Sequence, residues 1–154
     1  MQTPSFPPVQ TLVPHAGPMV FLSEVVHHEP NLTVCEVEIA KCTLVLDDAG
    51  EVAAWVGIEF MAQCIAAHAG LVGRESGEPP RVGLLVGARR VELHTERFHR
   101  TQRLRVSARH LWGRETGPVS FDGSVEDAGS GEVLVQARIS CFVPDDASLA
   151  AGQR

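Results

Sequence analysis

The run Trp55-Val-Gly-Ile-Glu-Phe-Met-Ala-Gln-Cys-Ile-Ala-Ala-His-Ala-Gly70 has the length and composition of a helix buried on nearly every side. No other segment of the chain has this character, so one long helix must be covered by whatever the rest forms. Its only ionisable acid is Glu59. Burying a carboxylate is costly unless it is paired, hydrogen-bonded or protonated, and an acid kept in such a place is a candidate for chemistry. A partner is available far back in the sequence: His15, in the rigid turn Pro14-His-Ala-Gly-Pro18. The prolines restrict the backbone on both sides of this histidine. Taken singly, each residue has a plainer reading, a turn histidine and an interface acid.

The flanking segments alternate with the period of half-buried strands. Strands are expected over Ser23–His28, Thr33–Ile39 and a short Thr43–Leu46 before the helix. Asp47–Gly50 reads as a loop and Gly73–Pro80 as a connection. Beyond it, Val82–Val86 with Arg89–Thr95, Arg103–Arg109, Val119–Val125 and Val133–Val143 read as four strands in a meander, the last two joined by a hairpin loop at Asp127–Gly131. One antiparallel sheet wrapped around one central helix satisfies this order, which is the hot-dog arrangement in the α+β class. A single domain over 1–154 is expected, with 1–8 and 145–154 as loose ends. Ile58, Met61, Ala62, Ile65, Ala69 and Val72 form the helix stripe expected to face the sheet. Glu59, Gln63, Ala66 and Gly70, with Ala67 beside them, form a second, small and polar line, for which a second subunit is the expected neighbour. Gly57, inside the first turns, marks a close backbone approach.

Charge narrows the partners. Between Arg81 and Arg114 there are nine arginines and two acids, net +7, against four basic and seventeen acidic residues elsewhere, net −13, which recovers the total of −6. The strip lacks interleaved aromatics and any recognition motif, so no nucleic acid is expected. A small acidic protein or a phosphate-bearing ligand suits Arg89, Arg90, Arg97 and Arg100 better; the plain alternative is a solvated strand face. No membrane span and no signal peptide are expected, and the location is read as cytoplasmic. The four cysteines are widely spaced and read as reduced core fillers. His27 and His28 adjoin Glu29, but neighbouring strand residues point to opposite faces. His68, His94, His99 and His110 fit no ligand spacing, and Cys64 has no catalytic histidine beside it. No metal and no cofactor are expected.

His15 beside Glu59 supplies a base and an acid at neutral pH, and the helix start at Ala54–Val56 offers backbone N–H groups for a developing oxyanion. That set describes proton abstraction α to a carbonyl with loss of a β-hydroxyl. The segment Val13-Pro-His-Ala-Gly-Pro-Met-Val-Phe-Leu-Ser-Glu-Val25 resembles the P-H-x-x-P entry of β-hydroxyacyl-(acyl-carrier-protein) dehydratases, and Glu59-Phe-Met-Ala-Gln63 their E-A-M-A-Q helix segment. Leu85–Val91 resembles the strand that follows. Ala54–Gln63 with Ile65–Gly70 is similar to the dehydratase branch of aryl-polyene-type pigment clusters. The resemblance implies a hot-dog fold and dehydration of a 3-hydroxyacyl thioester to the trans-2-enoyl product. It implies His15 as base and Glu59 at the leaving hydroxyl, the two coming from different subunits of a dimer. Gln63, Ala54, Trp55 and Gly57 are the expected substrate contacts, with Gln63 also expected to position Glu59. An acyl carrier protein bringing the chain on its phosphopantetheine arm is the implied partner, with a homodimer or a hetero-oligomer containing a related dehydratase. A hot-dog thioesterase, in which Glu59 activates water, and a non-catalytic partner subunit are the alternatives.

Overall fold

In the computed structural model, residues 4–78 and 83–145 are described. Arg81, Val82 and, of the two expected loose ends, residues 1–3 and 146–154 lie outside them. Phe6, in the first of those ends, packs against the core. The strands are β1 (Glu24–Glu29), β2 (Leu32–Glu38), β3 (Val52–Ala53), β4 (Leu84–Leu93), β5 (Arg97–Phe98), β6 (Arg103–Gly113), β7 (Gly117–Asp127) and β8 (Val133–Val143), with one α-helix, α1 (Gly57–Glu75). Six strands form an antiparallel sheet in the order β1-β2-β6-β7-β8-β4, and β3 pairs with β5 apart from it. The sheet curls around α1: this is the hot-dog fold.

Period two in the sequence becomes two faces of the sheet. Registers such as Cys35↔Val106, Val106↔Val125 and Phe121↔Ile139 stack β-branched and aromatic side chains on the helix side. Val37, Leu104, Val106, Val125, Val135 and Ile139 are fully buried there. Alternate residues face outward and carry the charge, where Arg103 reaches Glu36 and Glu38 and Arg138 reaches Asp122.

Three expectations about elements are corrected. Thr43–Leu46 is a turn, closed by Val45 N–H and Leu46 N–H on Cys42 O, and the third early strand is Val52–Ala53. The later strands are not one meander: β6-β7-β8 is, but β4 crosses to the far edge and pairs with β8. A helix-to-sheet connection leaves that choice open, since either edge can accept the strand.

The helix also runs past Gly73 to Glu75. It ends where Gly77, at φ 71°, takes the left-handed conformation, with Gly77 N–H on Arg74 O and Glu78 N–H on Gly73 O. Ala54–Glu75 is long and apolar enough to cross a membrane by length and composition, contrary to the expectation, but it is mostly buried here as a core helix.

The faces of α1 differ from the expected stripe. Gly57, Phe60, Met61, Cys64, His68 and Leu71 are buried. Gly57 and Met61 lie on strands: a Cβ at Gly57 would sit 3.4 Å from Val125 and from Phe98, and one at Gly123 would sit 2.6 Å from the Met61 sulfur. Ala62, Ile65, Ala69 and Val72 instead line a cavity. At Gly70 the small line meets the chain's own N-terminal segment, where a second subunit was expected: a Cβ there would lie 2.6 Å from Leu12 O. Arg74 Nη2 donates to Thr11 Oγ1 on the same side.

Candidate active site

The N-terminal segment carries His15 to α1. Leu12 and Val13 are buried against the helix, Gly17 takes φ 57°, and a short 3-10 turn at Gly17–Met19 bends the chain back toward β1. Gln63, fully buried, ties the two together. Its Nε2 donates to Met19 O at 2.8 Å and to Glu59 Oε1 at 3.1 Å, and its Oε1 accepts the Phe21 N–H at 2.9 Å. A side chain four residues from Glu59 is on the same helix face, so Gln63 fixes the carboxylate and the loop at once.

His15 Nε2 stands 3.2 Å from Glu59 Oε1 within one chain. The expectation that the pair comes from two subunits is corrected: residues 12–21 fold onto α1 of their own chain. Glu59 is not enclosed on every side either, because 36% of its side chain is open. The reason is the cavity beside it. One oxygen, Oε1, is held by Gln63 and His15, which leaves Oε2 to meet a ligand. His15 Nδ1 is sealed from solvent with no hydrogen-bond partner among the described residues, so Nε2 is the nitrogen able to react.

The cavity measures about 500 Å³ and runs between α1 and the inner face of the sheet. Pro14, His15 and Glu59 line it, as do Ala62, Ala66 and Ala69, whose short side chains leave the space open. Phe121, Val119 and Cys141 form the sheet wall, and His68, His110 and Asn31 are also in the lining.

The other expected site residues separate. Gln63 has no exposed surface, so it holds Glu59 and does not contact substrate. Ala54 is buried and its N–H is taken by Glu96 O at 3.0 Å, which removes it as an oxyanion donor. Gly57 is packed on the sheet, and Trp55 is 68% exposed outside the cavity lining. Arg89 and Arg90 lie on the exposed edge strand β4, whereas Arg97 is paired with Asp47 on the small ladder side and the Arg100 stem lies along Gly50.

The residues that spacing missed are His68, His110 and Phe121. No local pattern marks them, because contacts such as those of His68 with Thr33 and Phe121 join segments far apart in sequence. The alanines at 62, 66 and 69 did carry a signal, in their helical spacing, but small residues suit a cavity and a packed face equally.

Among the described residues no group of three histidines, cysteines or acids is arranged to hold a metal. All four cysteines are free and buried, and burial pushes the Cys42 thiol up to about 11 and raises Cys64 and Cys141 as well. Such thiols are poor nucleophiles.

Comparison with known proteins agrees with the fold. The family model described as ApeP-like, ApeP dehydratase, matches residues 7–151. A chain of the dehydratase heterocomplex ApeI:P from Xenorhabdus doucetiae is 28% identical, with a TM-score of 0.89 over 97% of this chain and 99% of that one. Zebra fish thioesterase superfamily member 2 shares the fold at 11% identity and a TM-score of 0.65, over 89% and 93%. A hypothetical thioesterase with coenzyme A from Streptococcus pneumoniae does so at 12% and 0.59, over 78% and 84%. No curated protein matches the chain.

Proposed function

Because the chain belongs to the ApeP-like dehydratase family, we propose that it removes water from a 3-hydroxyacyl thioester delivered by an acyl carrier protein, leaving the trans-2-enoyl thioester. The observation that carries this reading is the His15–Glu59 contact at the wall of a cavity of about 500 Å³, with one carboxylate oxygen held and the other free. The step needs one proton on the pair, placed on Glu59, with His15 Nε2 bare and turned toward the α-carbon. His15 Nε2 takes the α-proton, the β-carbon–oxygen bond breaks, and the hydroxyl leaves as water with the proton of Glu59. His15 then holds the proton that Glu59 has lost. Its passage across the 3.2 Å contact restores both groups.

A hetero-oligomer with a related dehydratase is the second reading. The ApeI:P similarity favours it, and so does β4, an unpaired sheet edge on which Leu84, Leu85, Val86, Val91 and Leu93 are all exposed. Arg89 and Arg90 on that strand have no ion-pair partner among the described residues and remain the best candidates for meeting an acidic carrier.

The test is turnover of a 3-hydroxyacyl-carrier substrate by the chain alone and mixed with a related dehydratase. His15→Ala and Glu59→Gln are each expected to lower kcat by roughly 10²–10⁴-fold. Wild-type rates in both variants sink the mechanism. Release of free thiol at the same rate as substrate loss identifies a thioesterase instead. Activity only in the mixture, unaffected by either variant, identifies a supporting subunit.

A further inference from the structure

The outer face of the sheet carries a groove of its own. Small groups make its floor, Ser107, Gly123, Ser124 and Ala137, and the Ser107 and Ser124 hydroxyls are bonded to each other at 2.6 Å. Three arginines, Arg90, Arg109 and Arg138, and two acids, Asp122 and Glu92, surround a space of about 400 Å³ above it. Phe121 and Val125 are buried on the helix side, so by the alternation of β7 Asp122 and Ser124 face away from α1. The sheet itself therefore separates this groove from His15 and Glu59.

Charge inside the groove is arranged differently from charge beside it. On the same face, Arg103 is paired with Glu36 and Glu38, and Arg105 lies 3.9 Å from Glu36. Within the groove each acid already has a partner: Asp122 is held by Arg138 Nε at 3.2 Å, and Glu92 lies 3.4 Å from His94 Nε2. Arg90 and Arg109 are left without an ion-pair partner among the described residues. They belong to β4 and β6, three places apart in the sheet, or about 14 Å at roughly 4.8 Å per strand. Two guanidinium groups over one groove repel each other, and an anion between them relieves that repulsion.

The backbone of β4 is bent to bring Arg90 there. The registers Arg89↔Arg138 and Glu92↔Gln136 leave Arg90 and Val91 opposite a single residue. Arg90 sits in this bulge at φ 52°, the one non-glycine residue at positive φ among the described residues. Glycine adopts that conformation without strain. A bulge that keeps an arginine in its place re-aims a charged side chain, and strain of this kind is retained where a site uses it.

We propose that the groove on the outer face is a binding site for a phosphate group, held between Arg90 and Arg109 with Gln136 and the serine hydroxyls as further donors. A carboxylate has two oxygens in one plane and is met by one fork, whereas the tetrahedral oxygens of a phosphate accept from two sides at once. Because Arg90 belongs to the edge strand and Arg109 to the middle of the sheet, the bound group also ties that edge down. The site lies outside the reaction cavity and does not depend on the dehydratase reading.

The experiment titrates the full chain with inorganic phosphate, methyl phosphate and acetate at fixed ionic strength, following the arginine Nε–H signals by nitrogen-15 NMR. The Arg90 and Arg109 signals are expected to shift to saturation with the two phosphates and not with acetate. The tighter of the two phosphates tells a free ion from an ester. Arg109→Gln and Arg90→Gly are each expected to weaken binding by at least roughly tenfold, while Arg100→Gln, which removes the same charge outside the groove, leaves it unchanged. Arg90→Gly also holds or raises the denaturation midpoint, because glycine suits the left-handed backbone. Shifts that never saturate, that acetate produces equally, or that appear at Arg100 as at Arg90 overturn the proposal. So does phosphate binding that survives both groove variants, or a midpoint that falls in Arg90→Gly. Saturation by an acidic carrier protein without its phosphopantetheine arm, and not by either phosphate, makes the groove a protein contact and overturns it as well.

Discussion

At the scale of single residues, the site depends on Gln63 as much as on the two groups it serves. All of its polar atoms are engaged, and two of its three partners belong to the segment that carries His15. Replacing it with Met keeps the volume but strands Met19 O and Phe21 N–H, at about 1–3 kcal/mol for each buried group left unsatisfied. The freed Glu59 carboxylate also loses its fixed orientation. Gln63→Met is therefore expected to lower kcat with little change in KM, beyond what its loss of stability explains, as steady-state kinetics at a temperature well below its melting point would reveal. A KM effect alone would instead make Gln63 a substrate contact. The sequence placed Gln63 correctly on the Glu59 side of the helix, since a spacing of four guarantees it. It could not tell whether that side faces ligand or loop.

At the scale of elements, the joint between α1 and the N-terminal segment decides whether the site exists. Gly70 is the point of closest approach, with no room for a Cβ 2.6 Å from Leu12 O. Backbone cannot give way as a flexible side chain can, so Gly70→Ala is expected to push residues 12–15 off the helix, despite the better helix propensity of Ala. A loss of roughly 1–3 kcal/mol in chemical denaturation should accompany a fall in activity. A Gly70→Ala protein more stable than wild type refutes this joint. The existence of the helix and of the strands was legible, because their periods of 3.6 and 2 depend on each element alone. The turn at Thr43–Leu46 was not, because four residues are too few for a period to show. The rotation of the helix was also missed: it has apolar or small residues on most sides, so the stripe for the sheet and the stripe for the cavity look alike.

At the scale of the whole molecule, the buried histidines couple stability to pH. His68 has an ordinary value of 6.5 lowered to about 4 in the fold, chiefly by burial. The unfolded chain therefore binds the proton more readily. Stability is complete above 6.5 and is lost as pH falls from there toward 4, by up to about 3 kcal/mol. Asp47 and Asp127, held below their ordinary 3.8 mainly by backbone N–H groups, begin to titrate only below that window. Denaturation midpoints between pH 7 and 4.5 should fall more steeply for wild type than for His68→Phe; parallel curves would show that His68 does not control this range. The sequence alone determined the kind of fold, one helix against an antiparallel sheet, and proposed His15 for Glu59, because hydrophobic period and residue chemistry are local properties. Tertiary structure decided that both stand in one chain, that β4 forms the far edge of the sheet, and that His28, Thr33 and His68 form a hydrogen-bonded chain. Those facts are contacts between distant segments, set by packing, which no local pattern encodes.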